Sequence, residues 1–167
     1  MKEENKLYEK YPGWIAIVYN LVMVLKILIG ALIFIRFSKI IAVLYILYCT
    51  SVNIRVILYR CPYCCYYGKT CGAGLGKVAP YFLKKKDYKI KFSNFDLLLI
   101  ILTVIFPVTG AIILLIIKFS WLVVILLGLF VFVFFIQSKI ALKFVCDHCK
   151  QREISCDNLF FPPKINQ

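Results

Sequence analysis

Acidic residues are scarce in this chain, and none falls inside a long apolar segment. The 167 residues include 8 Asp and Glu against 21 Lys and Arg, and no carboxylate lies between Glu9 and Asp87 or between Asp96 and Asp147. Proton-coupled transporters and pumps use carboxylates within the membrane as relays, and magnesium sites also depend on carboxylates. The sequence therefore speaks against a proton pump and against a magnesium-dependent membrane transferase.

Charged residues are also scarce. Only 17% of the residues are charged and 62% are hydrophobic, whereas a soluble domain has about a quarter charged and about half apolar residues. A helix needs about 20 apolar residues to cross about 30 Å of hydrocarbon, and the apolar runs predict four such spans: 14–35, 40–59, 97–117 and 121–136. The last span is expected to continue as a helix to about residue 145. Strand hairpins are excluded because they would leave unpaired edges in lipid.

Two very short polar turns, at 36–39 and 118–120, divide the spans into pairs. The sequence therefore predicts an all-α membrane protein whose four transmembrane helices form two helical hairpins. The predicted segments are an N-terminal tail at 1–13, a first hairpin at 14–59, a basic cysteine-rich loop at 60–96, a second hairpin at 97–145 and a cysteine-containing tail at 146–167.

The basic residues lie mainly on one side of the predicted membrane. The termini, the long loop and the end of the last predicted helix carry sixteen Lys and Arg, whereas the short turns carry only Arg36, Lys39 and Lys118. The positive-inside rule then places both termini and the loop in the cytoplasm. Nucleic acid is not an expected partner, because no recognition helix or known nucleic-acid fold accompanies the charge.

Lysines and aromatic residues are mixed between 78 and 92, directly before the third span. Such a mixture is typical of a segment lying on anionic headgroups, and it is equally compatible with a solvated basic loop. A bilayer with anionic headgroups at the cytoplasmic face is therefore the expected partner, and a membrane protein partner is also compatible with this surface.

Cysteines recur with the same spacing after each predicted hairpin. Both groups have the pattern C-x2-C-x6-C, and they consist of Cys61, Cys64 and Cys71 after the second span and Cys146, Cys149 and Cys156 after the fourth. The matching order predicts a twofold internal repeat, in which each unit contains a hairpin followed by a cysteine module.

Two C-x2-C units on one face of the membrane predict a metal site, because each unit supplies two thiolates to a tetrahedral ion. A zinc ion held by Cys61, Cys64, Cys146 and Cys149 would connect the two halves. Cys71 and Cys156 would then remain as spare thiols. Two separate three-cysteine sites are the alternative arrangement.

Other cysteine chemistry stays open at this point. An iron–sulfur cluster also takes thiolate ligands, and Cys65 and His148 could serve as extra ligands. Thiol–disulfide exchange is a further alternative. The expected function is that of a membrane scaffold or accessory subunit with a structural zinc site and no catalysis of its own; the alternative is a membrane redox protein.

Lys26 lies near the middle of the first span, and Arg55 lies near the cytoplasmic end of the second. A cation within the membrane is costly and marks a functional site by default. Lys26 is expected either to snorkel or to use backbone carbonyls, Asn20, Asn53, water or an anionic ligand. Arg55 is expected to snorkel to the nearby headgroups.

The glycine-rich segment at 72–77 resembles a phosphate-binding loop only superficially. Val78 stands where the phosphate-loop pattern requires Ser or Thr after the lysine, and no strand precedes the segment. The segment is expected to form a tight turn beside the metal site.

Overall fold

The computed structural model describes residues 7–86 and 94–150, and the regular structure in these ranges is helical. The helices are α1 (Gly13–Ile35), α2 (Lys39–Arg60), a short α3 (Ala79–Phe82), α4 (Asn94–Ile117) and α5 (Trp121–Ile140). A 3₁₀ turn follows α2 at Cys61–Tyr63, and another precedes α3 at Leu75–Lys77. A π-helical turn at Ala141–Cys146 extends α5.

The helices α1, α2, α4 and α5 are each long and apolar enough to cross a membrane, with mean hydropathies between 1.9 and 2.9. They carry many exposed large apolar side chains, such as Leu21 and Ile116, which lipid would cover. The prediction of an all-helical chain with four helices of spanning length is confirmed, and the fold is consistent with a multi-pass membrane protein. The pairing into repeated hairpins with cysteine modules stays a prediction.

Hydroxyl side chains in and beside α2 bond to the helix backbone. Ser38 begins α2, and its Oγ accepts a hydrogen bond from the backbone N–H of Ile40 at 3.3 Å. Within α2, Thr50 Oγ1 donates to the carbonyl of Ile46 at 2.9 Å. A hydroxyl bonded to its own helix no longer presents an unpaired polar group to hydrocarbon, so these residues are tolerated in spanning helices.

Two apolar clusters hold the bundle together. The first joins α1, α4 and α5, and its buried residues are Ile29, Ile33, Ala111, Val123, Phe130 and Val133. The second joins α1 and α2, and its buried residues are Ala31, Phe34, Ala42, Tyr45 and Cys49. Cys49 is therefore a packing residue.

Two glycines allow aromatic rings of neighbouring helices to approach the backbone. A Cβ atom on Gly30 would lie 2.7 Å from Tyr45 Oη, and one on Gly110 would lie 2.9 Å from Phe34 Cε1. Small residues at helix crossings are the usual means of close packing in membranes. Here they place Phe34 and Tyr45 in contact, with ring centroids 5.1 Å apart.

Pro107 lies inside α4. It has no backbone N–H, so the carbonyl of Thr103, four residues earlier, loses its helical donor. Tyr45 Oη donates a hydrogen bond to this carbonyl at 3.1 Å. A neighbouring helix thus supplies the missing donor, which is the condition under which membrane helices tolerate proline.

Candidate cysteine site

Contacts between distant parts of the chain bring both cysteine segments to one end of the bundle, which we call the cysteine end: residues 7–12, 61–77 and 145–150. The backbone N–H of Tyr11 donates to the carbonyl of Thr70 at 2.9 Å, and that of Tyr8 donates to the carbonyl of His148 at 3.1 Å. Tyr11 Oη donates to the carbonyl of Val145 at 2.6 Å. The N-terminal segment is therefore bonded to both cysteine segments.

Aromatic side chains continue this connection. Tyr66 Oη donates to the carbonyl of Tyr8 at 2.8 Å and accepts from the backbone N–H of Lys150 at 3.0 Å. Tyr66 and Tyr11 pack edge to face, with ring centroids 5.3 Å apart. Both are almost fully buried, so the cysteine end has a small core of its own outside the spanning helices.

Three predicted ligands pack against this core. The buried residues are Tyr11, Ile15 and Tyr66, and Cys64, Cys71 and Cys149 are among the half-buried residues that contact them. Cys61 is buried at the end of α2, while Cys146 is half-buried at the end of α5. Cys156 lies outside the described residues.

The structure therefore brings five of the six predicted ligands to one end, from both halves of the chain. Within residues 7–86 and 94–150, no three Cys, His, Asp or Glu side chains are arranged ready to hold a metal ion. The predicted zinc ion and its ligand set stay a prediction.

The glycine-rich segment is built into the same region. The backbone N–H of Gly76 donates to Cys71 Sγ at 3.3 Å, and a Cβ on Gly76 would lie 2.4 Å from the carbonyl oxygen of Tyr66. Gly74 has a φ of +75°, in the left-handed region that favours glycine. The segment forms a tight turn around Cys71, and N–H donors of this kind are usual around metal-bound thiolates.

Burial controls the protonation of the thiols. It raises the pKa of Cys64 to about 12, and the neighbouring thiols add to the shift. The pKa of Cys65 is also raised, first by burial and then by Cys149. Cys64 is therefore a neutral thiol near pH 7, whereas Cys65 is exposed and can be reached by reagents in solution. Thiols become reactive as thiolates, so this environment is poor for disulfide exchange, whereas a bound zinc ion would stabilise the thiolate form.

An ion pair that the sequence analysis missed connects α2 to α4. Arg55 Nε lies 3.0 Å from Asp96 Oδ1, and a nitrogen of the Arg60 guanidinium lies 2.9 Å from Asp96 Oδ2. Arg55 also lies over the rings of Tyr59 and Phe95. The expectation that Arg55 simply snorkels is therefore incomplete. A signal was present: Asp96 is an acid in the first turn of α4, opposite the basic end of α2.

Comparison with protein-family models, curated proteins and solved structures gave no match for this chain. The class that the structure supports is thus defined by its four spanning-length helices alone: it is consistent with a multi-pass membrane protein.

Proposed function

We propose that this chain is a membrane scaffold or accessory subunit whose two cysteine segments bind a structural zinc ion. One observation carries the proposal: Cys64 and Cys71, from the first half, pack against the same buried core as Cys149, from the second half. A metal ion with ligands from both segments would connect α2 to α5 outside the membrane.

The packing of the cysteines indicates which of them could bind the zinc ion. Cys71 has Cys61 and Cys64 as near neighbours, and it shares the surroundings of Tyr19 with Cys146. We therefore count Cys71 among the ligand candidates, not as a spare thiol. Zn–S bonds of about 2.3 Å bring bound sulfurs to within about 4 Å of each other, so zinc binding would contract this cluster and couple the metal to the packing of the cysteine end.

Metal analysis tests the proposal directly. The full chain is purified anaerobically in detergent, and its zinc and iron contents are measured together with its visible absorption. We expect about one zinc per chain, no visible absorption, and loss of the zinc in Cys64→Ser combined with Cys149→Ser. Cys49→Ser is the matched control, because Cys49 lies in the helix core, and it should keep the metal. A brown protein with iron would instead indicate the redox alternative.

We also propose that the cysteine end faces the cytoplasm, together with both termini. The support is the charge asymmetry of sixteen basic residues against three. Cys65 is exposed and serves as the probe for an impermeant maleimide. The Cys65-dependent signal, defined by its loss in Cys65→Ser, should require permeabilised cells. Labelling of Cys65 in intact cells would reverse the orientation.

A further inference from the structure

A cavity of about 250 Å³ lies between the spanning helices, and Lys26 is part of its wall. Side chains of α1, α2, α4 and α5 line the cavity, and Ala73 and Leu75 of the glycine-rich segment complete its wall. Lys26 is 8% exposed. It is thirteen residues beyond the start of α1, which places it about 20 Å along the helix axis. This side chain does not snorkel; it stays inside the bundle.

Lys26 has no anionic partner in the described part of the chain. The described acids are Glu9, Asp96 and Asp147, and none of them lines the cavity. Asp96 is engaged by two arginines, and Glu9 bonds to Lys150. A buried ammonium without a counter-charge is strongly unfavourable, so Lys26 would carry its charge in this cavity only with an anion beside it.

Other polar groups of the cavity are already committed to the protein. Asn20 Nδ2 donates to the carbonyls of Ala16 and Ala73, at 2.7 and 2.8 Å. Asn53 Nδ2 donates to the carbonyl of Cys49 at 2.8 Å. Both donors of the Asn20 amide and one donor of the Asn53 amide are therefore used, and the Lys26 ammonium is the strongest donor left for a ligand.

Gln137 provides a second observation that indicates a ligand or water in this cavity. Its side chain is buried and hydrogen-bonded to Tyr19, while its Oε1 has no hydrogen-bond partner among the described residues. A buried acceptor in this position needs a donor such as water. At about 30 Å³ per molecule, the cavity has room for a small ion together with several of its hydration waters.

We propose that this cavity binds one small monovalent anion, paired with Lys26 and bridged to Gln137 by water. One cation neutralises one negative charge, so a divalent anion would leave a buried charge unbalanced. The depth of Lys26 within α1 excludes the phosphate of a membrane lipid. The proposal is independent of the zinc site and of the orientation of the chain.

Thermal unfolding of the full chain in detergent tests the proposal at constant ionic strength. Sodium lactobionate, whose anion is too large for the cavity, is replaced by sodium chloride, acetate or sulfate. At about ten times the Kd we expect chloride to raise the Tm of the wild type by about 4 °C more than that of Lys26→Met, whereas sulfate, which stabilises folded proteins in general, should raise both Tm values equally. A response to acetate as well would extend the ligand class to small carboxylates.

Lys26→Met is the decisive variant, and Lys39→Met at the start of α2 is its control. The former should abolish the chloride effect, while the latter should keep it. Chlorine-35 line broadening by the wild-type chain, reversed by excess bromide but not by sulfate, measures the same site without a variant. Equal Tm values of the wild type in chloride and lactobionate, a sulfate response larger in the wild type than in Lys26→Met, or a chloride response retained in Lys26→Met would each overturn the proposal.

Discussion

At the scale of single residues, the bundle depends on a few polar side chains that supply a hydrogen-bond donor or a counter-charge to a group on another helix. Tyr45 supplies the donor that Pro107 removes from the Thr103 carbonyl. Asp96 neutralises Arg55 and Arg60 together. In each case a group on α2 is bonded to a group on α4, so these bonds fix how the two helices face each other.

Tyr45→Phe should destabilise the bundle through the Thr103 carbonyl. The buried acceptor would lose its donor, and we expect the free energy of unfolding to fall by about 1 kcal/mol, in line with hydrogen bonds between membrane helices. Tyr48→Phe is the matched control: Tyr48 Oη also donates to α4, at the Leu99 carbonyl, which a helical N–H can satisfy as well. Unfolding in detergent should show the smaller loss for Tyr48→Phe, and equal losses would contradict the role given to Pro107.

Asp96→Asn should also be destabilising, because it leaves two guanidinium groups without their carboxylate. Charged hydrogen bonds of this kind contribute about 1.5–3 kcal/mol each. Arg60→Gln should cost more than Arg55→Gln, since the Arg60 side chain is 14% exposed and that of Arg55 is 37% exposed and water screens the latter. Thermal unfolding of the three variants compares them. The order would be inverted if the rings of Tyr59 and Phe95 hold Arg55 more firmly than Asp96 does.

At the scale of structural elements, the spanning helices and the glycine-rich segment are built by different rules. The helices follow from apolar length, because a chain in lipid must bond its own backbone. The conformation of the segment at 72–77 depends on its glycines, because only a residue without a side chain lets the backbone approach its neighbours so closely. Gly72 lies against Val145 and Gly76 against the Tyr66 carbonyl, so this segment is packed tightly against the rest of the cysteine end.

Gly76→Ala should loosen the glycine-rich segment from the rest of the cysteine end. The added Cβ would meet backbone 2.4 Å away, and backbone there cannot move aside cheaply. We expect trypsin to cut faster at Lys69 and Lys77, while the spanning helices stay protected. Gly128→Ala in α5 is the control, since its Cβ meets nothing within 4 Å and alanine favours helix. Unchanged cleavage in Gly76→Ala would show that the segment is not fixed by this contact.

The sequence predicted the helices well and their mutual arrangement poorly, for a physical reason. Apolar length alone determines a span, so the bounds of α1 and α2 followed from composition. Which face of a helix packs inward could not be read, because all faces of these helices are apolar and no polar stripe marks the outside. The Asp96 ion pairs and the Tyr45 bond depend on helix rotation and were therefore missed. The nearness of Cys64 to Cys149 was predicted from repeated spacing, which does not depend on rotation.

At the scale of the whole molecule, the two halves meet through apolar packing inside the bundle and through the cysteine end outside it. α1 contributes to both, since its residues pack against α5 in the core and Trp14 contacts the ring of Phe144 near the cysteine end. A zinc ion would add a further connection between the two halves at this end. Membrane insertion should not depend on it, because each helix satisfies its own backbone.

Cys61→Ser combined with Cys146→Ser should therefore insert normally but open more easily. If zinc is held at about 100 times its Kd, its loss lowers the free energy of unfolding by about 3 kcal/mol. We expect a lower Tm in detergent and faster proteolysis between residues 60 and 86. Membrane fractionation provides the control for insertion. Proteolysis and Tm equal to those of the wild type would refute this connecting role and leave the cysteines to be explained by chemistry.

The hydrogen bonds of Tyr8 and Tyr11 to His148 and Val145 have a consequence for the order of synthesis. The ribosome makes residues 7–12 before α1, yet their partners emerge only after α5 is complete. Until then the first cysteine segment stands without its counterpart, and the buried Tyr11 and the half-buried Tyr8 lack the surface that covers them. A chain halted before residue 145 would therefore display apolar aromatic side chains outside the membrane, where chaperones and proteases can distinguish it from a finished copy.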